Sequence, residues 1–210
     1  MASLDKKSIQ AAVEKALAEG KGKRKFKQGF DLAVNFKDID FKKAENRLSV
    51  DVILPLPPRP VKVAVFADGQ IALDAKKAGV EIVIPGADIP SYVTDKVKQK
   101  QLLQYSLLAT PPLMGLIGKQ LGQVLGSKGK LPKPVLPNSN LVDLVEKTRR
   151  TITLKTKGKF LPCVHCIVGN EEMTPAQLTE NVLTVIESLL GKIQASQIKS
   201  VVVKTTMGTP

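Results

Sequence analysis

Hydrophobic and polar residues change their spacing along this chain, and each change marks a different kind of element. Ile9, Val13 and Leu17 recur at every fourth position between Leu4 and Glu19, and Gly20 follows. That period places them on one stripe of an amphipathic helix, with the glycine as its stop. Phe30, Leu32, Val34 and Phe36 then alternate with Asp31, Ala33 and Asn35. A period of two belongs to a strand with one face buried and the other in water. Leu48, Val50, Val52 and Leu54 repeat the pattern, so two such strands joined by a polar segment predict an antiparallel pair.

Leu54 to Pro60, LPLPPRP, carries four prolines in six positions. It ends any strand and stiffens the chain into an extended connector, a domain boundary. Beyond it the alternation is gone. Val61 to Phe66, Glu81 to Ile84 and part of Leu102 to Ala109 are short apolar runs; Gln70 to Ala78, closed by Gly79, reads as a helix between the first two. Strands without polar alternation, separated by helices, predict a parallel sheet covered on both faces. After Arg150 the earlier style returns, with strands over Thr151–Lys155, Pro162–Val168 and Ile198–Lys204. Between the last two lies a helix with Thr174 as N-cap, Pro175 at its first position, Gln177 completing a capping box and Gly191 at its end. The chain is therefore read as α/β in class. A composite domain from residues 1–56 plus 153–210 surrounds an inserted α/β domain over 57–152.

Charge adds a partner to this outline. Thirty-two Lys and Arg against 19 Asp and Glu leave a net charge of +13 on 210 residues, which calls for a polyanion. Aromatics are only 4% with no Trp, too few for stacking many single-stranded bases. The expected partner is a structured nucleic acid held mainly through its phosphates. The charge is divided almost evenly, net +7 over 57–152 and net +6 over the composite domain. Its densest run is Lys21 to Lys27, KGKRKFK, which holds Phe26 among five positive charges.

The remaining chemistry is sparse. MASLDKK meets charge at once and is not read as a secretory signal. Gln101 to Gly118 is uncharged, but Gln101, Gln104, Ser106, Thr110 and Pro111-Pro112 interrupt it, and it is read as a buried strand plus a helix start, not a membrane span. Two cysteines exclude a disulfide framework and favour a reducing cytoplasm. Cys163, His165 and Cys166 lie within four residues. On a strand, however, Cys163 and His165 point away from Cys166, so no metal site is expected. His165 is the sole histidine, Gly118-Lys119 is followed by Gln120, and no GxGxxG follows Phe66. Catalytic residues and cofactors are accordingly not expected. Gly126-Ser-Lys-Gly129 resembles the backbone clamp of a KH domain, but Leu131-Pro132-Lys133-Pro134 forbids the helix that should follow. What remains is a basic glycine loop over Gly126–Lys133.

Leu113 to Pro134, LMGLIGKQLGQVLGSKGKLPKP, resembles the signature of the L-one family of large-subunit ribosomal proteins, called L-ten-a in eukaryotes. It matches at Met114, Gly118, Leu121, Gly122, Gly126, Gly129, Pro132 and Pro134, and departs at Gln123 and at Ser127-Lys128, where the family usually has Pro-Arg. Lys25-Phe26, Val61 to Gly79, Ala109 to Pro111, Val168-Gly169, Asn181 and Ser200 to Gly208 follow the family order. The length resembles archaeal or eukaryotic members more than bacterial ones.

The resemblance implies a split β-α-β domain from both termini with an inserted Rossmann-like three-layer domain, joined by a two-strand hinge. It implies a cytoplasmic, ribosome-bound protein, monomeric when free and not at a membrane. Its partners would be large-subunit rRNA in the mobile stalk, exit-site tRNA and, in archaeal members, its own messenger RNA under translational repression. The RNA contacts it implies are Lys25, Phe26, Ser200, Thr206, Met207 and Gly208. Residue chemistry adds Lys23, Arg24, Lys27 and Lys204 for phosphates and the Thr205 hydroxyl for 2′-OH groups. The inserted domain would add salt-sensitive contacts at Lys119, Lys128, Gly129, Lys130 and Lys133. Two rival readings stand beside this one: a Rossmann-like nucleotide-binding enzyme using the Ala67-Asp68-Gly69 turn, and a non-ribosomal RNA-binding regulator.

Overall fold

The structure is a computed structural model that describes residues 5–20, 22, 24–41, 43, 46–136, 140–156 and 161–209. In chain order it runs α1 (Lys6–Gly20), β1 (Gly29–Phe36), β2 (Ser49–Ile53), β3 (Val63–Phe66), α2 (Gly69–Lys77), β4 (Ile82–Ile84), α3 (Ile89–Thr94), α4 (Lys96–Leu102), β5 (Ser106–Ala109), α5 (Pro111–Gln120), α6 (Gly122–Ser127), β6 (Lys133–Pro134), α7 (Leu141–Arg150), β7 (Thr151–Lys155), β8 (Cys163–Asn170), α8 (Pro175–Leu190) and β9 (Ile198–Thr205). The class is α/β. The chain divides into two compact units, one of Met1–Arg59 with Arg150–Pro210 and one of Pro60–Arg149.

Unit 1 is built on a three-stranded antiparallel sheet, β8-β1-β9. The alternation in β1 buries Phe30, Leu32, Val34 and Phe36. They pack with Ile9, Val13 and Leu17 of α1 and with Leu178, Val182, Val185 and Leu189 of α8. Both helices therefore cover the same face of the sheet. The capping box of α8 forms as its sequence predicts: Gln177 N–H donates to Thr174 Oγ1 at 3.4 Å, and Thr174 N–H donates to Gln177 Oε1 at 3.0 Å.

The expected pairing of the two N-terminal strands is wrong. β1 pairs with β8 and β9, whereas β2 pairs antiparallel with β7 in a separate ribbon. An alternating pattern fixes which face is buried but not which strand lies alongside. β2 and β7 flank the inserted unit, and the chain leaves and returns through them side by side. Just past β2, Asn181 of α8 holds the proline-rich connector. Its Nδ2 donates to Val168 O at 2.8 Å and to Leu56 O at 3.2 Å, and its Oδ1 accepts from Leu56 N–H at 3.2 Å.

Unit 2 carries a sheet of order β4-β3-β5-β6, parallel throughout. All four residues of β3 are buried because each face has its own core. Val63, Val65 and Leu108 pack with Ala75 of α2 and Val145 of α7, while Ala64, Phe66 and Leu107 pack with Ile89, Leu102, Ile117 and Leu125. α3, α4 and α7 were not legible from the sequence pattern. The glycine loop begins later than expected, since Gly126 and Ser127 are the end of α6. Ile117, Leu121 and Leu125 keep a four-residue burial period through the glycines, and that carries the chain on in helical form.

Replacing Asn181 with Ala removes the side-chain partner of one buried carbonyl, at Val168, and of the half-buried amide and carbonyl of Leu56. Unit 1 should lose about 2 kcal/mol or more of stability. Denaturant unfolding with an unchanged slope would measure it.

Candidate nucleic-acid interface

The antiparallel pairing of β1 with β9 places the start of one beside the end of the other, with Phe30 opposite Thr205. The approach to β1 and the tail beyond β9 therefore meet at one corner. The ladder runs one residue past the strand: Thr206 N–H and Thr206 Oγ1 both donate to Gly29 O, at 3.0 and 3.2 Å. Gly208 N–H then turns back to Thr205 O at 2.9 Å.

Gln28 organises this corner from beneath, and the sequence reading missed it. It is 1% exposed. Its Nε2 donates to Gly20 O at 2.7 Å, its Oε1 accepts from Met207 N–H at 3.1 Å, and its backbone carbonyl accepts from Glu171 N–H at 3.0 Å. One residue thus joins the end of α1, the entry to β1, the turn after β8 and the tail. A glutamine between Lys27 and Gly29 carries no sequence signal of burial. Thr209 Oγ1 adds a tie to Glu19 Oε2 at 2.6 Å.

Thr205 does not lie where the sequence reading placed it. It is 1% exposed, on the helix-covered face, and its hydroxyl has no partner among the described residues. A Cβ at Gly20 or at Gly208 would collide with its side chain. Gly20 is thus more than a helix stop: it is a buried helical residue that lets α1 approach β9. The alternation Val201, Val203, Thr205 against Ser200, Val202, Lys204 held this information, because Val201 and Val203 pack on the core.

At the surface of the corner stand Phe26, 53% exposed, and Met207, 56% exposed, with Arg24, Lys25, Lys27 and Thr206 also exposed and Gly208 half-buried. Lys27 Nζ is paired with Glu172 Oε1 at 2.7 Å. That hydrogen bond and the carboxylate charge raise the lysine above its ordinary pKa, so it stays charged but its charge is already engaged. Arg24 and Lys25 make no ion pair among the described residues. Lys23 lies outside the described residues.

From this corner the open face of the sheet continues in three rows. Asp31 stands between Ile167 and Lys204, Ala33 between His165 and Val202, and Asn35 between Cys163 and Ser200. None of these nine side chains is buried. Ser200 Oγ accepts from Asn35 Nδ2 at 2.9 Å. Ser200 and Lys204 thus share a solvent-facing surface that leads to Thr206.

The other predicted contacts belong to unit 2. Lys119 is exposed in the last turn of α5, Lys128 and Gly129 are exposed in the turn closing α6, Lys130 is half-buried and Lys133 is exposed in β6. Gly129 has φ +64°, a conformation that suits glycine. At the carboxyl end of the parallel sheet, where a nucleotide would bind, Asp68 Oδ1 accepts from Gly86 N–H at 2.8 Å. Pro111 and Pro112 begin α5 there. A carboxylate and two residues without N–H groups are poor provision for phosphate. No group of three or more His, Cys, Asp or Glu among the described residues is arranged to hold a metal ion, and no described helix is long and apolar enough to cross a membrane.

Comparison with known proteins gives the family. The profile of the Ribosomal protein L1p/L10e family matches residues 13–209. The chain belongs to that family. Among L1p/L10e relatives, large ribosomal subunit protein uL1 of Pyrococcus abyssi is 41% identical over 210 residues, covering 97% of this chain and 94% of the relative. The proteins of the same name from Aeropyrum pernix and Methanocella arvoryzae are 39% and 38% identical, each over 97% of this chain and over 93% and 96% of their own lengths. The family match spans both units and every described residue of the corner.

Gln28→Leu removes the bond that holds Met207 while keeping an apolar filling. Amide exchange at Met207 and Gly208 should rise by at least about tenfold, the equivalent of removing one or two hydrogen bonds. Unchanged protection would show that the tail is held by other groups.

Proposed function

We propose that this chain is a structural constituent of the large ribosomal subunit, working in the cytoplasm, and that unit 1 binds structured large-subunit rRNA. Family membership supports the ribosomal assignment. The observation that carries the RNA reading is the corner itself. There an exposed Phe26 and Met207 share one edge with Arg24 and Lys25, and the Thr206 amide and hydroxyl are both fixed by Gly29. An apolar face accepts a ribose or base, cations accept phosphates, and a locked backbone fixes their spacing. Lys204 and Ser200 extend this surface along the open face of the sheet. Thr205 is not a contact in this reading; it sets the position of the tail from below.

Lys119, Lys128, Lys130 and Lys133 with Gly129 add attraction from unit 2 with little shape discrimination. The finer role is also a proposal: placement in the mobile stalk beside the tRNA exit site, assistance to release of deacylated tRNA, and repression through a similar fold in the protein's own messenger RNA. Its support is the combination of two compact units, each of net positive charge, with the exposed corner of unit 1.

Binding to large-subunit rRNA and to a scrambled structured RNA across a salt series tests the assignment. Phe26→Ala and Thr206→Ala should each weaken specific binding by about 1 kcal/mol or more at every salt concentration. A combined Lys128→Ala, Lys130→Ala, Lys133→Ala variant should instead flatten the salt slope by about one for each phosphate that a lysine no longer neutralises. Equal affinity of the native chain for both RNAs would sink the proposal.

A further inference from the structure

Cys163 and His165 stand two residues apart on β8, so both side chains leave the sheet on its open face, and Cys163 Sγ lies 3.4 Å from His165 Nε2. With the ring proton on Nδ1, the thiol donates to Nε2 and the imidazole is a base in direct contact with the sulfur. His165 is exposed and Cys163 half-buried, so a reagent in solution has access to both. Cys166, at an odd offset on the same strand, packs against the core. Burial of its sulfur, with the nearby Asp31 charge adding, pushes that thiol up to about 12. The strand therefore carries one thiol with a base and an open approach, and one with neither.

We propose that Cys163 is a thiol-exchange site for low-molecular-weight disulfides of the glutathione class, with His165 as its base, and that the adduct lies on the RNA-facing surface. The thiol proton passes to His165 Nε2 as the Cys163 sulfur bonds to one sulfur of the disulfide. The reagent's S–S bond breaks, and its second sulfur leaves as a thiolate that takes the proton from the imidazole. One thiol and one disulfide become one mixed disulfide and one thiol, with the disulfide as the oxidant. Cys163, Asn35 and Ser200 form one row across the sheet. Two strand spacings, roughly 10 Å, separate Cys163 from Ser200, a distance that an extended tripeptide adduct spans. That the adduct lies against RNA rests on the RNA binding proposed for unit 1.

The test treats the full chain with oxidised glutathione and maps the adduct by peptide mass spectrometry. Cys163 should be modified at least about tenfold faster than Cys166, and His165→Asn should slow Cys163 by about fivefold or more. The isolated adduct should bind large-subunit rRNA about tenfold more weakly than the unmodified chain, the size expected when a single favourable interaction is blocked, with recovery on reduction. Equal rates at the two cysteines, or a Cys163 rate unchanged in His165→Asn, would overturn the exchange site. An adduct that binds RNA as tightly as the unmodified chain would overturn its placement on the RNA surface. If the unmodified chain shows no RNA preference, the RNA reading fails by itself, while the adduct rates still decide the thiol chemistry.

Discussion

The antiparallel pairing of β1 with β9 is the contact on which the rest of unit 1 depends. Its strands lie at opposite ends of the chain, with Phe30 opposite Thr205 and Asn35 opposite Ser200. Loop-closure entropy rises only slowly with loop length, so bringing such distant strands together costs little more than closing a shorter loop. That tolerance lets a second folding unit occupy the interval between β2 and β7. The same pairing leaves β1 central, turns its apolar alternation onto α1 and α8, and leaves the reverse side of the sheet open. It also brings a basic N-terminal approach and an uncharged C-terminal tail to one corner. The core, the open face and the corner are three results of one register.

Two buried polar side chains of unit 1 stand where segments without regular structure must be held. Gln28 and Asn181 do so by matching backbone groups that no strand or helix satisfies. Thr205 is the exception, a buried hydroxyl with no partner among the described residues. An unmet hydroxyl costs free energy, while its branched side chain fills the gap beside Gly20 and Gly208. The tail is therefore held by the Gln28 bond to Met207, by the two Thr206 bonds to Gly29, and by shape at Thr205 within the core.

The sequence pattern made legible whatever depends on local period. The buried face of β1, the all-apolar β3 and the capping box of α8 each follow from residues next to one another. Pairing and depth were not legible in the same way. The alternation of β2 said nothing of β7, and Gln28 looked like any polar residue in a charged run. Gly20 read as a stop because a glycine after a helical stripe has two physical explanations, chain reversal and close packing, and only a neighbour decides between them. Thr205 was readable from its phase with Val201 and Val203. Its hydroxyl chemistry obscured the simpler fact of which way a strand residue points.

Charge and fixed geometry occupy different places in this molecule. Basic residues are spread over both units, and most of those described are exposed on flexible side chains, a type suited to attracting phosphate rather than reading shape. Lys27 shows the limit of counting them, since Glu172 already engages it. The residues with fixed geometry at the corner are uncharged: Thr206 is tied twice to Gly29, Met207 is held by Gln28, and Gly208 leaves no room for a side chain beside Thr205. In the RNA binding proposed for unit 1, that defined spacing lies at the corner and along the adjoining rows of the open sheet. A structured RNA is recognised by the position of its backbone and exposed bases more than by sequence. Rigid spacing with few aromatic anchors suits that mode better than a larger stacking surface would.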